Sequence, residues 1–238
     1  MTRRLSIIAA WLLAGHALLL GLFWGLLNVP ESSAWMLGLS ALTALALIVA
    51  AGTLHAGAAV AWQPQAPVRR ALLSGTRHVP AFLLATLLFW VFWWATAHAL
   101  AWHARLSGQI DAWYIAQTGS PGTSWLHAIV FWSIQFLRWP IGLTLAVSLL
   151  TALVHPGIRP LRSASWLATA LHPRRWLTVT FWLVLLIALP WQAIDWRPRH
   201  LSLALEPWFV TAKLGAVALA ASFGWALILR VCSPPVET

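Results

Sequence analysis

The residues that could do chemistry are ionisable side chains inside long apolar stretches. Arg138 is the clearest of them, because it falls near the middle of the apolar stretch Ser124–Val154. On a helical wheel, His127 and Gln135 fall on the same face as Arg138, so the three form one polar stripe. An ionisable side chain inside a membrane span is costly and is therefore a candidate for function. We predict a ligand- or partner-binding site at His127, Gln135 and Arg138.

The partner of Arg138 is not evident from the sequence, because no Asp or Glu falls within a predicted span. Its guanidinium could bind backbone carbonyls that Pro140 leaves unpaired, since a proline inside a helix removes a hydrogen bond and bends the helix. It could instead bind a phosphate or carboxylate headgroup, or an acid from another subunit. The missing carboxylates also disfavour a proton-coupled pump.

The histidines raise the question of b-type haem, which needs two imidazoles at matching depth on facing helices. Five histidines fall within predicted spans: His16, His55, His98, His103 and His127. Of these, His98 and His127 lie toward the same side of the predicted topology. The chain lacks histidine pairs repeated along its helices. We therefore expect no cofactor and no metal, with His98 and His127 as ligands only if haem is present.

Sequence motifs of catalysis are absent. The chain has no GxSxG, HExxH, P-loop or GxGxxG motif. Its single cysteine, Cys232, excludes a disulfide framework, a CxxC redox pair and a thiolate zinc site. We predict that the protein has no enzymatic activity of its own.

The amino-acid composition indicates which kind of secondary structure positions these residues. The 238 residues are 61% hydrophobic and only 8% charged, whereas a soluble domain carries about 25% charged residues. The apolar content is also too high for a disordered chain. A membrane span needs about 20 apolar residues, so the sequence predicts an all-α, polytopic transmembrane bundle in a single domain. Its six predicted spans are Leu5–Leu27, Ala34–Ala61, Val79–His103, Ser124–Val154, Trp176–Ile194 and Pro207–Val231.

The arginines predict the orientation, because cytoplasmic loops carry an excess of positive charge. If the N-terminus is cytoplasmic, ten arginines fall on the inner side: Arg3, Arg4, Arg69, Arg70, Arg77, Arg159, Arg162, Arg174, Arg175 and Arg230. Only Arg105, Arg197 and Arg199 then fall outside. We predict a multi-pass protein of the bacterial inner membrane with both termini cytoplasmic. The net charge of +10 reflects this topology, because nucleic-acid binding would need the cations on one soluble face.

Two inner loops each place basic residues around a short apolar stretch. Residues Val68–His78 precede the third span, and residues Leu161–Arg175 precede the fifth. Such a pattern is typical of a short amphipathic helix that lies on a leaflet, with its arginines near anionic lipid. We predict headgroup contacts from Arg69, Arg70, Arg77, Arg162, Arg174 and Arg175. On the outer side, the longest loop, roughly Ala104–Thr123, is expected to hold a short interfacial helix around Ile110–Ile115.

The second of these inner loops resembles a known group of proteins. Its residues Arg162-Ser163-Ala164-Ser165-Trp166-Leu167 are followed by Arg174-Arg175-Trp176-Leu177 at the start of a span. This pattern resembles uncharacterised bacterial six-helix membrane proteins akin to the membrane domain attached to some glycerophosphodiesterases. The likeness covers the middle of the chain and implies a type of fold. No site residue carries over from it.

These features predict a non-enzymatic integral membrane protein, either an accessory or scaffold subunit or a lipid-associated protein. Its expected partners are membrane lipids, mainly anionic, and other membrane subunits, with no nucleic acid. Two alternatives stay open at this point. One is a transporter or channel whose cavity is lined by the stripe of His127, Gln135 and Arg138, and the other is a b-type haem protein for electron transfer.

Overall fold

A computed structural model describes residues 2–30, 33–63, 67–120, 124–155, 165–194, 196 and 205–233. These residues form helices and connecting turns, without any strand among them. Six of the helices are long and apolar enough to cross a membrane. The predicted all-helical class is therefore confirmed, together with the number of helices of spanning length.

The six long helices follow one another along the chain with two short helices between them. The first half contains α1 (Thr2–Leu27), α2 (Ala34–Val60), the short α3 (Val68–Leu73) with a 3₁₀ turn over Ser74–His78, and α4 (Val79–Thr118). The fourth long helix consists of α5 (Ser124–Phe136) and α6 (Gly142–Leu153), joined by a π-helical turn over Leu137–Ile141. The short α7 (Ser165–Leu171) follows. The fifth long helix consists of α8 (Pro173–Leu183) and α9 (Leu189–Gln192), joined by a π-helical turn over Val184–Ala188. The sixth is α10 (Glu206–Cys232).

Both π-helical turns lie beside a proline. Pro140 is inside the first turn, and Pro190 is the second residue after the end of the second turn. A proline lacks the backbone N–H, and its ring collides with the carbonyl one turn earlier in an α-helix. The wider π turn accommodates this collision without ending the helix. The loosened backbone that the sequence predicts at Pro140 therefore takes the form of a π turn.

The helix α4 is longer than the sequence predicts. It runs for 40 residues, which corresponds to about 60 Å. The segment that we expected to be a loop from Ala104, with a separate helix over Ile110–Ile115, is part of this continuous helix. The helix ends where Gly119 adopts a left-handed conformation with φ 65° and donates its N–H to the carbonyl of Ile115 at 2.8 Å. Glycine adopts this conformation without steric cost, so it stops the helix here.

The long helices form a ring in which each packs on its neighbours along the chain, and α10 closes the ring against α1. We call the end that holds the start of α1 and the end of α10 the proximal end, and the opposite end the distal end. Most of the buried core lies in the proximal half, with Ile8, Leu12, Leu54, Leu150, Val179 and Ile228 among its members. Large apolar side chains of the distal half are exposed, including Leu20, Trp24, Leu37, Trp113, Trp132 and Trp208. The buried side chains are therefore concentrated in the proximal half of the bundle.

The tightest packing joins α2 to the segment before α4. A Cβ atom on Gly57 would lie 2.4 Å from the carbonyl oxygen of Leu72, and one on Gly75 would lie 2.1 Å from that of Thr53. Leu72 is itself buried. The short helix predicted in this loop therefore exists, and its buried side packs on α2.

A side-chain hydrogen bond ties α10 to α6 at the proximal end. The hydroxyl of Thr151 donates to the carbonyl of Cys232 at 2.9 Å in a buried environment, and carbonyls in the last turn of a helix have no partner within that helix. We expect Thr151→Val, which preserves the shape, to lower the free energy of unfolding by about 1 kcal/mol. The measurement is SDS-induced unfolding in mixed micelles.

The control is Thr211→Val, because the hydroxyl of Thr211 is exposed and donates to a carbonyl of its own helix. This variant should unfold like the wild type. Equal unfolding curves for the two variants would show that the Thr151 bond does not stabilise the bundle.

Candidate functional site

The structure places the predicted stripe against α4. At the distal end, Nε2 of His127 lies 3.1 Å from Oδ1 of Asp111, and the ring centroids of His127 and His103 are 5.3 Å apart. Farther along the same helix, Arg138 contacts Thr96 and Trp93. The two ends of the stripe therefore face the same neighbouring helix.

Arg138 is held by an aromatic face and a hydroxyl. Its side chain is only 8% exposed, and its Nε donates to Oγ1 of Thr96 at 3.1 Å. The guanidinium carbon lies 4.1 Å from the centroid of the Trp93 ring, and Trp139 packs edge-on against Trp93 at 4.9 Å. Among the described residues, no carboxylate pairs with Arg138. The cation–π contact and the hydrogen bond offset part of the cost of burying the charge.

The remaining stripe residue, Gln135, is partly buried and makes no hydrogen bond with any other described residue. One turn beyond Arg138, a Cβ atom on Gly142 would lie 2.7 Å from Cδ1 of Phe92, which belongs to α4. His127 and Arg138 of the stripe thus contact α4, and Gly142 continues this contact.

The arginines predicted to contact lipid headgroups occupy different surroundings. Four of them are exposed, namely Arg69, Arg70, Arg77 and Arg174. Arg175 is partly buried, and its Nη1 has no hydrogen-bond partner in the described part of the chain. Arg162 lies outside the described residues, as do the first three residues of the resemblance, Arg162-Ser163-Ala164.

The two histidines that we considered for haem, His98 and His127, make contacts with other residues. His98 is exposed, and its Nδ1 lies 2.9 Å from the carbonyl of Trp94 on its own helix. His127 pairs with Asp111 as described above. The structure instead brings together His16 of α1 and His55 of α2, with ring centroids 5.3 Å apart.

His16 and His55 line an open pocket, which we call the chamber, at the distal edge of the buried core. Its volume is about 360 Å³, and α1, α2, α4, α6, the second π turn and α10 contribute to its wall. The polar contributions come from His16, His55, Thr86 and Trp225, and the other lining residues are apolar. Alanines such as Ala85 and Ala146 line it where a larger side chain would fill the space.

Aromatic rings surround His55 in this wall. Phe82 stacks on it with centroids 5.5 Å apart and an interplanar angle of 11°. Trp225 meets it edge-on, with centroids 5.5 Å apart at 77°. Both Nδ1 of His55 and Nε1 of Trp225 are buried and have no hydrogen-bond partner among the described residues. A buried polar atom without a partner costs free energy. Both atoms have almost no accessible surface, so neither opens onto the chamber.

The helices that carry the two histidines are in close contact. A Cβ atom on Gly15 would lie 2.1 Å from Cδ1 of Leu54, and the indole of Trp11 donates to the carbonyl of Leu54 at 3.2 Å. A porphyrin would have to separate the two imidazoles and thus these helices. The packing between α1 and α2 therefore does not favour haem ligation by His16 and His55.

Both histidines stand out in the sequence as residues within spans, but no sequence pattern pairs them. Their contact depends on the register between α1 and α2, which the close approach of Gly15 to Leu54 fixes. The stripe residues His127, Gln135 and Arg138 are not among the residues that line the chamber. The protein thus contains an apolar chamber with a few polar groups, separate from the stripe.

Comparisons of the chain with protein-family models, with curated proteins and with solved structures find no match. Function is therefore inferred from the chemistry of the chamber and the stripe.

Proposed function

We propose that this protein is a non-enzymatic, lipid-associated membrane protein that binds a membrane-soluble amphiphile in the chamber. The chamber is the observation that carries the proposal. Its volume of about 360 Å³ lies within the range of ligand pockets, which are mostly apolar with a few polar groups that orient the ligand. A molecule dissolved in the membrane has the apolar surface that such a wall accommodates.

The proposed location is the bacterial inner membrane, with both termini cytoplasmic. The arginine distribution supports this orientation, because the proximal end then faces the cytoplasm. Exposed arginines at this end, such as Arg69, Arg70 and Arg174, would contact anionic headgroups. The likeness to the membrane domain attached to some glycerophosphodiesterases is proposed as a likeness of fold type only.

The alternatives have less support. A transporter cavity lined by the stripe is not favoured, because His127 and Arg138 pack against α4. A haem between His16 and His55 is not favoured by the close contact of their helices. An accessory or scaffold role is compatible with ligand binding, since a bound amphiphile can be part of an assembly of membrane subunits.

The proposal is tested by filling the chamber. Ala146→Phe puts a ring into the space, whereas Ala216→Phe puts the same ring at an exposed position of α10. Native mass spectrometry of the gently extracted protein measures the fraction that carries a bound amphiphile. We expect a bound molecule on the wild type and on Ala216→Phe, and a reduction of its affinity by about tenfold or more, equal to 1.4 kcal/mol, in Ala146→Phe.

Ala221→Phe provides a second variant of the chamber wall, in case Ala146→Phe does not fold. A wild type that carries no amphiphile, or equal occupancy in the chamber variants and in Ala216→Phe, would contradict the proposed function.

A further inference from the structure

The guanidinium of Arg138 has hydrogen-bond donors that the described part of the protein does not use. Its Nε donates to Thr96, and its plane lies over the ring of Trp93. Most N–H donors of a guanidinium belong to Nη1 and Nη2, and neither of these atoms hydrogen-bonds to any other described residue. Neither is among the described polar atoms that are both unpartnered and fully enclosed. The two terminal nitrogens therefore keep accessible surface.

Gln135 places a second unused donor on the same face of the helix. It precedes Arg138 by one turn on the distal side, and residues at this spacing are neighbours on a helix surface. Its amide has no hydrogen bond with the other described residues, and it is not among their enclosed atoms. A carboxamide donates through its NH₂ group, and a guanidinium pairs bidentately with an oxyanion. The two side chains together form a cationic group of donors.

The depth of Arg138 brings this group near one surface of a membrane. The residue is about 20 Å along its helix from Leu153, which lies at the proximal end beside the end of α10. With the six long helices as spans, a hydrocarbon layer of about 30 Å then ends a short way distal of Arg138. Helical side chains tilt toward the N-terminus of their helix, which is the distal direction here. Arginine side chains also draw headgroups toward them, because the bilayer thins locally.

The surface around Arg138 favours an anion that carries apolar tails. Leu137 and Trp139 flank it in the sequence and are exposed, and so is Trp94, which follows Trp93 on α4. A free ion that approaches such a surface loses hydration. The tails of a lipid gain from contact with it, because apolar surface leaves water or packs against matching chains.

We propose that Arg138 and Gln135 bind the phosphate of a membrane phospholipid in the distal leaflet. The phosphate oxygens accept hydrogen bonds from Nη1 and Nη2 of Arg138 and from Nε2 of Gln135. Its negative charge offsets the part of the cost of burying the guanidinium that Thr96 and Trp93 leave uncompensated. Neither Arg138 nor Gln135 is among the described residues that line the chamber, so this site is additional to the one in the proposed function.

The test compares probes that share either the tails or the phosphate. The full chain is delipidated in a mild detergent and titrated with dioleoylphosphatidylglycerol, with dioleoylglycerol, which lacks the phosphate, or with inorganic phosphate, which lacks the tails. Native mass spectrometry measures the bound fraction. We expect the phospholipid to bind about tenfold or more tightly than dioleoylglycerol. Inorganic phosphate should not displace it at the same concentrations.

Variants connect this preference to the two side chains. Arg138→Met removes the charge and preserves most of the volume, and Gln135→Leu removes the amide. We expect the first to lower the affinity for the phospholipid by about tenfold or more and the second by about threefold. Binding of dioleoylglycerol should not change in either variant. The control is Arg105→Met, which removes the same charge from an exposed position of α4 and should bind the phospholipid like the wild type.

The outcomes separate this site from other sources of the anion. Equal binding of the phospholipid and dioleoylglycerol would overturn the proposal, as would a phospholipid affinity that neither Arg138→Met nor Gln135→Leu lowers. Inorganic phosphate that binds as tightly as the phospholipid would overturn the assignment to a lipid. A protein subunit that the wild type retains and Arg138→Met releases would overturn it too, because a carboxylate of that subunit would then pair with the guanidinium.

The chamber variant keeps the two sites distinguishable. The preference for the phospholipid over dioleoylglycerol should persist in Ala146→Phe, in which the chamber is filled. A preference that Ala146→Phe abolishes and Arg138→Met preserves would assign the phosphate to the chamber. That result would overturn the site at Arg138 and would support the proposed function.

Discussion

Replacing Gly75 with alanine is expected to prevent the protein from folding. The added Cβ would lie 2.1 Å from the carbonyl oxygen of Thr53 and 2.8 Å from the backbone nitrogen of Gly57. Both atoms belong to the backbone of α2, so no side-chain rotation can relieve the overlap. We expect the free energy of unfolding to fall by about 3 kcal/mol or more. Size-exclusion chromatography of detergent extracts should show a loss of the monodisperse peak.

The control for Gly75 is Gly108, which lies inside α4. A Cβ atom added to Gly108 would meet no atom within 4 Å outside its own helix. Gly108→Ala should preserve the monodisperse peak and raise the stability by about 0.5–1 kcal/mol, because alanine restricts the unfolded chain more than glycine does. If Gly75→Ala elutes and melts like Gly108→Ala, the close contact of the 3₁₀ turn with α2 is wrong.

The second large effect is expected at Trp93, whose ring faces the buried guanidinium of Arg138. Trp93→Ala removes this face and leaves Thr96 as the remaining hydrogen-bond partner of the side chain among the described residues. We expect a loss of about 3 kcal/mol in the free energy of unfolding, from lost packing and from the uncompensated cost of the buried charge. The measurement is SDS-induced unfolding in mixed micelles.

A double-mutant cycle separates the two contributions. Arg138→Met removes the charge and preserves most of the volume, so Trp93→Ala should cost about 2 kcal/mol less in that background. Trp94→Ala is the matched control, because Trp94 is the next residue and is exposed. An equal cost of Trp93→Ala in both backgrounds would mean that the cation–π contact contributes nothing to stability.

Much of the fold could be predicted from the sequence, because the length of an apolar stretch can be read from the sequence without knowing what packs against it. The predicted spans Leu5–Leu27 and Pro207–Val231 differ by only a few residues from the helices α1 and α10. The continuation of α4 could not be predicted in this way. Residues Ala104–Thr118 are too polar to extend a span and contain Gly108, yet the helix continues through them and ends only at Gly119.

The sites were predictable to a smaller extent, because they depend on how helices face each other. Helical periodicity correctly places His127 and Arg138 on one face, since periodicity is internal to a helix. It cannot say which helix lies opposite, so the contacts with Asp111 and Trp93 had to come from the structure. The pairing of His16 with His55 depends likewise on the register between two helices, which is a property of neither helix alone.

The unbroken length of α4 makes it a lever. Its first turns carry Phe82, Thr86 and Phe89, which line the chamber. The helix then continues to Thr118, with a rise of about 1.5 Å per residue. A rigid rod magnifies a tilt in proportion to its length, so a small displacement at Thr86 becomes a larger one at Thr118. The contact between Nε2 of His127 and Oδ1 of Asp111 joins α5 to this far part of α4. A tilt of α4 at the chamber would therefore also displace the surface that α5 contacts.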